Sequence, residues 1–300
     1  MNHKLVGMFI DKLESFTISD YYGLNSLGMT CYLNSVLQVF FMTDGFREAV
    51  NRCCCQDPTT IDLFLGRLFS GLQKNVAQTH DVTKRLGITD VYEQRDSAEY
   101  FEKILCLNSP EAAQMLKGEL KHQNTCLTCQ ERNHSTGFFW ILPLAVEELA
   151  DQTCSVEKAL RAFFKGEKAC GDNKIYCKCC DSKQEAEIGC EIKQRPEVLT
   201  LLLKRFRFDD KQRCYTKLRC SVDVPHILHI ESCKYVLYAL LNHFGDLKGG
   251  HYTAHVKSYE NKWWYHFNDD VVKRVDPPPS EPGAEGLRSC FAYLLMYQKC

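Results

Sequence analysis

The stretch NSLGMTCYLN, residues 25–34, contains one of the 18 cysteines in this chain of 300 residues. Gly28 and the polar residues around it favour a turn, and Thr30 has the side chain of a helix N-cap. Apolar residues then recur at helical spacing in LNSVLQVFF, which predicts a buried helix. Cys31 therefore falls in the first turn, where the helix dipole and free backbone N–H groups favour a thiolate nucleophile. These residues alone equally allow a buried structural cysteine.

A thiol nucleophile needs a base, and the base needs a third group that holds its imidazole in one tautomer. Among the ten histidines, His251 stands out because Gly249 and Gly250 precede it at a turn into a strand. A backbone without side chains lets a substrate approach closely. The end of WWYHFNDD offers three acceptors for the imidazole N–H: Asn268, Asp269 and Asp270. The alternative is a structural histidine in an antiparallel strand.

Two Cys-x-x-Cys pairs lie about fifty residues apart, Cys126 with Cys129 and Cys177 with Cys180. This spacing suits a tetrahedral, all-cysteine zinc site that closes two knuckles. Cys179 is a spare thiol inside the second knuckle, and free thiols are the alternative. The sequence therefore predicts one structural zinc ion.

The composition of the whole chain, with 45% hydrophobic and 25% charged residues, is that of an ordinary globular protein. A formal net charge of −1 provides no global field toward nucleic acid or an anionic membrane, so neither is an expected partner. No apolar run reaches membrane-spanning length and no signal peptide is evident, so we expect a cytoplasmic or nuclear protein. In that reducing compartment the cysteines are expected as thiols, metal ligands or a nucleophile.

The predicted fold class is α+β. Before about residue 120 the patterns are helical, and after about residue 135 they are short, aromatic and β-branched, typical of strands. The proline-rich DPPPSEPGAEG, residues 276–286, is predicted to be a surface loop.

Five segments, in order from about residue 22 to 298, resemble the ubiquitin-specific proteases. GLNSLGMTCYLNSVLQ is similar to their cysteine box, and YALLNHFGDLKGGHYTAHV with WWYHFNDD is similar to their histidine box. YEQRDSAEYF, LLLKRF and the closing AYLLMYQ match further family segments. The resemblance implies a papain-like cysteine protease fold with thumb, palm and zinc-binding fingers. It implies an N-terminal extension over residues 1–20, a catalytic domain over 21–300 and fingers over about 115–200.

The resemblance also implies the reaction, which is hydrolysis of the bond after the C-terminal Gly-Gly of ubiquitin. It makes Cys31 the nucleophile, His251 the base and Asn268 the third member of the triad, with Asp269 adjacent and assisting. The same resemblance implies a structural zinc at the finger tips, held by the four knuckle cysteines. We expect a monomer whose partners are ubiquitin, or a ubiquitin-like modifier, and its conjugates.

Substrate contacts are implied at Asp96 and Glu99, which match family positions against the basic ubiquitin tail. Carboxylates three residues apart share a helix face, so both can meet arginines of an extended peptide. A solvated helix face is the alternative. His243 matches a family loop that lies over the tail, and taken alone it is an ordinary strand-end histidine.

One position departs from the family pattern. Five residues before the cysteine, where the family usually has an asparagine that stabilises the oxyanion, this chain has Ser26, and Asn25 lies one residue earlier. Either Ser26 is a weaker donor or Asn25 fills the oxyanion hole. Loss of such a donor costs about 10²–10³ in rate.

Three further functions stay open at this point. LQVFFM is also similar to the branch of the family that removes the interferon-induced, two-domain ubiquitin-like modifier. A non-catalytic ubiquitin-binding module of the same fold is conceivable because of Ser26, although Cys31, His251 and Asn268 disfavour it. A zinc-ribbon nucleic-acid binder is disfavoured by the neutral charge.

Overall fold

The computed structural model describes residues 20–53, 57–146, 154–210, 213–246, 249–275 and 286–300. The predicted N-terminal extension therefore lies outside the described residues, apart from Asp20. The predicted proline-rich loop also lies outside them, apart from Gly286, which begins a strand.

Six helices precede the first strand, and one further helix follows later in the described residues. They are α1 (Cys31–Met42), α2 (Asp44–Cys53), α3 (Asp62–Leu72), α4 (His80–Arg85), α5 (Ser97–Leu107), α6 (Pro110–Ala113) and α7 (Val156–Phe164). Short 3₁₀ turns span Gln114–Leu116 and Gly171–Asn173. The mixture of helix and sheet agrees with the predicted α+β class.

The strands follow from residue 118 onward. They are β1 (Gly118–Cys126), β2 (Arg132–Phe139), β3 (Ile141–Ala145), β4 (Cys154–Ser155), β5 (Glu167–Ala169), β6 (Ile175–Cys177), β7 (Ser182–Gln184), β8 (Ala186–Gln194), β9 (Val198–Lys204), β10 (Phe206–Asp209), β11 (Cys214–Lys217), β12 (Val222–Pro225), β13 (Ile227–Ile230), β14 (Cys233–Phe244), β15 (His251–Lys257), β16 (Trp264–Asn268), β17 (Val271–Val275), β18 (Gly286–Ser289) and β19 (Ala292–Lys299). The sheet begins earlier than the predicted residue 135 because β1, GELKHQNTC, is too polar to show a strand pattern.

The largest sheet has the strand order β17-β16-β15-β14-β19-β9-β3, and β13 also pairs with β14. Its pairings are antiparallel except for the parallel pair β3 and β9. Side chains alternate between its two faces. One face packs against the N-terminal helices through residues such as Tyr252 and Ala254. The other face packs against α7 and β12 through residues such as Leu201 and Leu295.

Helix α1 is buried along its whole length against this sheet and the other helices. A helix that is apolar nearly all round belongs in a core, so the few polar side chains in α1 need partners. Gln38 donates to the carbonyl oxygen of Tyr22 at 3.0 Å, and Ser35 donates to that of Cys31 at 2.7 Å. The burial fixes the position of the helix start.

A second sheet has the order β2-β1-β8-β5. The separate hairpin β6–β7 lies between β5 and β8 in the sequence. Strand β2 is exposed at every residue except Phe139. Two smaller sheets complete the described fold: β18-β12-β4 and the hairpin β10–β11.

Arg205, from the LLLKRF segment, is completely buried between β9 and β10. Its guanidinium donates four hydrogen bonds to backbone carbonyl oxygens, at 2.7 Å to Ala292, 3.2 Å to Leu218, 2.9 Å to Cys220 and 3.0 Å to Ser289. A buried cation is tolerable only when its donors are satisfied, and here carbonyl dipoles satisfy them. Arg205 thereby fastens the strand ends of three segments together.

Across the described residues, no helix is both long enough and apolar enough to cross a membrane.

Candidate active site

Cys31 is the first residue of α1, as predicted, and its side chain is only 4% exposed. Thr30 occupies the N-cap position, but its hydroxyl does not cap the helix. Instead, Thr30 Oγ1 accepts the backbone N–H of Leu27 at 3.1 Å, which closes the preceding turn. The first N–H groups of the helix, including that of Cys31, have no acceptor within the helix and remain available to a developing negative charge.

Three groups surround the Cys31 sulfur. The backbone N–H of Tyr252 donates to Sγ at 3.4 Å, and Nε2 of Gln94 donates at 3.6 Å. Burial of the thiol raises its pKa, but hydrogen bonds from His251, Tyr252 and Gln94 outweigh burial and leave the pKa below its ordinary value. The site therefore favours a thiolate at Cys31.

His251 begins β15 and lies between the thiol and Asn268. The imidazole Nε2 and Oδ1 of Asn268 are 2.6 Å apart, so Nε2 carries the proton and donates to the amide oxygen. The hydrogen bond with Cys31 raises the pKa of His251 to about 9, against the effect of burial, and Asn268 contributes in the same direction. The lowered thiol pKa and the raised imidazole pKa both act in the direction of a thiolate–imidazolium pair.

Asp269 follows Asn268 in the turn after β16, where its φ is +50°. Its Oδ1 accepts Asn34 Nδ2 at 2.8 Å, and its backbone oxygen accepts the Leu24 N–H at 2.8 Å. The carboxylate thus binds helix α1 and acts on His251 through charge, since it contributes to the raised imidazole pKa.

Ser26 is exposed, and its hydroxyl donates to the carbonyl oxygen of Gly28 at 2.6 Å. The hydroxyl proton of Ser26 is therefore already donated to a hydrogen bond within the turn. The backbone N–H of Asn25 donates to the carbonyl oxygen of Ala77 at 3.0 Å, and no hydrogen bond of the Asn25 side chain is found among the described residues. Neither side chain contacts the Cys31 sulfur.

Asp96 is the N-cap of α5, where Oδ1 accepts the N–H of Ala98 at 2.7 Å. Its Oδ2 accepts the hydroxyl of Tyr293 at 2.7 Å. Both carboxylate oxygens therefore already have protein partners, whereas Glu99 is exposed in the first turn of α5. The two residues lie at the same helix start, but only Glu99 projects a free carboxylate.

His243 is not in a loop. It lies in β14, is 1% exposed, and packs against the rings of Tyr252 and Phe206 at centroid distances of 4.5 and 5.3 Å. Burial, and then the charge of Lys217, lower the pKa of His243 to about 4. The strand pattern of β14 overrides the loop position that the resemblance implies.

The two glycines before His251 have different surroundings. A Cβ at Gly249 would meet nothing within 4 Å, which leaves open space above the backbone there. A Cβ at Gly250 would overlap the imidazole of His243 and approach the Asp246 carbonyl oxygen to 2.8 Å. Gly250 is thus required by the packing of His243.

The four knuckle cysteines lie together at the ends of β1 and β6, with every sulfur within 4.8 Å of the others. The Sγ atoms of Cys129 and Cys177 are 3.5 Å apart, and those of Cys126 and Cys180 are 4.0 Å apart. Sulfurs around a tetrahedral zinc with Zn–S bonds of about 2.3 Å lie roughly 3.8 Å from one another. The cluster therefore fits a metal ion of this kind.

The knuckle backbone supports the same conclusion. Gln130 and Asp181, the residues directly after each second cysteine, have φ values of +61° and +49°. In the first turn the backbone N–H of Cys129 donates to the Cys126 sulfur and lowers the pKa of Cys126 to about 7. Cys179 is exposed and lies outside the cluster.

Gln94 and Tyr293 are the site residues that our sequence analysis did not identify. Gln94 stands directly before Arg95 and Asp96 in YEQRDSAEYF, so its position in a family segment was the available signal. Tyr293 lies in β19, and its contact with Asp96 across the fold has no signature in local sequence.

Comparison with known proteins agrees with the geometry. The family model described as "Ubiquitin carboxyl-terminal hydrolase" matches residues 22–297. The chain is 29% identical over 300 aligned positions to "Ubiquitin carboxyl-terminal hydrolase 48" of Danio rerio. This alignment covers 88% of this chain and 28% of that protein. It is 28% identical to "Ubiquitin carboxyl-terminal hydrolase 47" of Homo sapiens, with 93% of this chain and 27% of that protein covered.

The chain thus spans little more than a quarter of the length of these curated relatives. The family match nevertheless covers nearly the whole sequence, including the cysteine and histidine segments that meet in the site. The chain belongs to the ubiquitin carboxyl-terminal hydrolase family of cysteine-type deubiquitinases, the ubiquitin-specific proteases.

Proposed function

We propose that this chain is a thiol-dependent deubiquitinase that hydrolyses the isopeptide or peptide bond after the C-terminal Gly-Gly of ubiquitin. The observation that carries the proposal is the hydrogen-bonded line from the Cys31 thiol through His251 to Asn268. Nucleophile, base and orienting group in such a line are the parts that acyl transfer requires.

In this reaction the Cys31 thiolate attacks the carbonyl carbon of the terminal glycine, and the electron pair of the C=O bond moves to oxygen. The tetrahedral intermediate collapses when His251 gives its proton to the leaving amine and the C–N bond breaks, which leaves a thioester on Cys31. Water then attacks the thioester while His251 accepts a proton. Free ubiquitin carboxylate departs, and the thiolate–imidazolium pair is restored.

Asn268 holds the imidazole in the orientation that this proton transfer needs, since its oxygen receives Nε2–H at 2.6 Å. We assign Asp269 an assisting role, because its charge favours the imidazolium and its carboxylate ties the Asn268 turn to α1.

We propose zinc as the metal of the four-cysteine cluster, held by Cys126, Cys129, Cys177 and Cys180. The sulfur-only donor set and the closed tetrahedral spacing support a structural ion with no open position for chemistry. When bound, zinc supplies a cross-link between the β1–β2 and β6–β7 turns. We propose that these turns and the second sheet form the fingers, with the large sheet as palm and α1–α6 as thumb.

For the ubiquitin tail we propose contacts at Glu99 and at the open backbone of Gly249, close to His251. Asp96 and His243 serve the tail indirectly in this proposal, because Asp96 caps α5 and His243 supports Gly250. Ubiquitin is preferred over the interferon-induced modifier. The LQVFFM segment that suggested the modifier is buried in α1 and offers no surface to a substrate.

A reducing compartment, the cytosol or nucleus, is part of the proposal. None of the described cysteines is in a disulfide, which suits such a compartment.

The test is a reaction with ubiquitin whose C-terminus carries a propargylamide electrophile, followed by mass mapping of the adduct. We expect one adduct, on Cys31, and none in Cys31→Ala. The exposed Cys106→Ala variant is the matched control and should react like the wild type. An adduct on another cysteine, or reaction only with other modifiers in a parallel panel, would refute the assignment.

A further inference from the structure

The oxyanion of the proposed reaction needs donors that this chain does not supply in the family's usual way. The Ser26 hydroxyl donates to Gly28 within its own turn, at 2.6 Å. The Asn25 backbone is fixed to Ala77 instead. The Cys31 backbone N–H is one donor, and acyl-transfer sites generally employ two.

The side-chain amide of Gln94 lies beside the Cys31 sulfur. Its Nε2 already donates to the Cys31 sulfur at 3.6 Å. When the thiolate attacks, negative charge moves from sulfur to the carbonyl oxygen, which lies two covalent bonds away. A donor at this distance from sulfur is close enough to reach that oxygen at the separation of about 3 Å that such stabilisation requires.

The segment that carries Gln94 is held firmly against the cysteine turn. The Met29 N–H donates to the carbonyl oxygen of Val91 at 2.7 Å. Gly28 has a φ of +153°, and a Cβ there would come within 2.7 Å of the same oxygen. The backbones of the two chain segments therefore approach closely here, as glycine at this position permits.

The other end of the segment is anchored as well. Asp96, two residues after Gln94, caps α5 and accepts the Tyr293 hydroxyl at 2.7 Å. Gln94 thus lies between two fixed points, Val91 and Asp96. A preorganised amide costs little reorganisation when charge develops beside it.

We propose that the side-chain amide of Gln94 is a catalytic residue that donates to the oxyanion and replaces the donor lost at Ser26. The proposal rests on the proposed function. No group is transferred to or from Gln94: its N–H stays bonded to nitrogen while the hydrogen bond passes from sulfur to the oxyanion.

The test compares Gln94→Ala and Gln94→Glu with wild type in two reactions. The first is turnover of ubiquitin carrying a C-terminal fluorogenic amide, which passes through the oxyanion. The second is alkylation of Cys31 by iodoacetamide, a direct displacement at carbon in which no oxyanion forms. The exposed Gln73→Ala is the matched control, and thermal unfolding checks that each variant folds.

We expect kcat to fall by about 10²–10³ in both Gln94 variants with little change in KM, as for loss of one oxyanion donor. The maximal alkylation rate should fall by far less. Ser26→Asn, which returns an amide to that position, should restore part of kcat in Gln94→Ala.

Equal losses in turnover and alkylation would show that Gln94 acts only on the thiol, and would overturn the proposal. Unchanged kcat in a folded Gln94→Ala variant would overturn it too. A wild-type protein that neither turns over ubiquitin nor reacts with its electrophile would instead refute the proposed function. The two failures are therefore distinguishable.

Discussion

Replacing Asn268 by alanine is expected to lower the alkaline limit of activity. In the proposed reaction the imidazolium of His251 protonates the leaving amine, so activity should fall as pH rises through the His251 pKa of about 9. The hydrogen bond with Cys31 is the main cause of that raised pKa, and the 2.6 Å bond to Asn268 adds to it. Loss of the Asn268 bond destabilises the imidazolium and moves the limit to lower pH.

The size of the shift in the alkaline limit follows from the free energy of the one hydrogen bond that is removed, between His251 and Asn268. A hydrogen bond to a charged group contributes about 1.5–3 kcal/mol, and one pKa unit corresponds to about 1.4 kcal/mol. Because His251 is partly open to solvent, the lower end applies. The alkaline limb should therefore move down by about one pH unit.

The assay is kcat/KM for a fluorogenic ubiquitin amide measured across neutral and alkaline pH. Asn133→Ala, on the exposed strand β2, is the control and should leave the profile unchanged. An alkaline limb at the same pH in wild type and Asn268→Ala would refute the reasoning, since Asn268 would then contribute nothing to the imidazolium.

Three further predictions concern the scaffold. Metal analysis of protein purified without added zinc should give about one equivalent of zinc per chain. Cys177→Ser should lose the zinc and unfold more easily, whereas the control Cys179→Ser should keep it. A folded, active protein without metal would contradict the zinc assignment. Arg205→Leu removes the donor of four carbonyl oxygens, two in buried and two in partly buried hydrogen bonds. The variant should cost at least about 3 kcal/mol in urea unfolding. A cost below about 1 kcal/mol would contradict the bonding described. Gly250→Ala should lower both kcat/KM and the free energy of unfolding because the added methyl group displaces His243. Gly249→Ala is the control and should preserve the free energy of unfolding. Equal stability of the two variants would count against the packing of His243 on Gly250.

The parts of the site that sequence could predict are those with a local pattern. Cys31 at a helix start follows from the turn and the apolar spacing after it, and His251 follows from the glycines before it. The four cysteines of the cluster are explicit in the spacing of the two Cys-x-x-Cys pairs. Each of these predictions needed only a few neighbouring residues.

The parts that sequence could not predict depend on contacts between distant segments. The hydroxyl of Thr30 satisfies Leu27 rather than the helix, because the turn closes before the helix begins. His243 continues β14 into the core, where pairing with Tyr252 decides its position. Strand β1 is mostly polar and forms because it pairs with β2 and β8, not because of its own propensity.

The bond between Asn34 and Asp269 has a consequence for how the enzyme can move. It ties the turn after Asn268 to α1, the helix that carries Cys31, while the Tyr252 N–H links the strand of His251 to the same sulfur. Hydrogen bonds to α1 thus hold the elements that carry His251 and Asn268 beside Cys31. We therefore expect the alignment of sulfur, imidazole and amide to persist when other parts of the site adjust to a bound substrate.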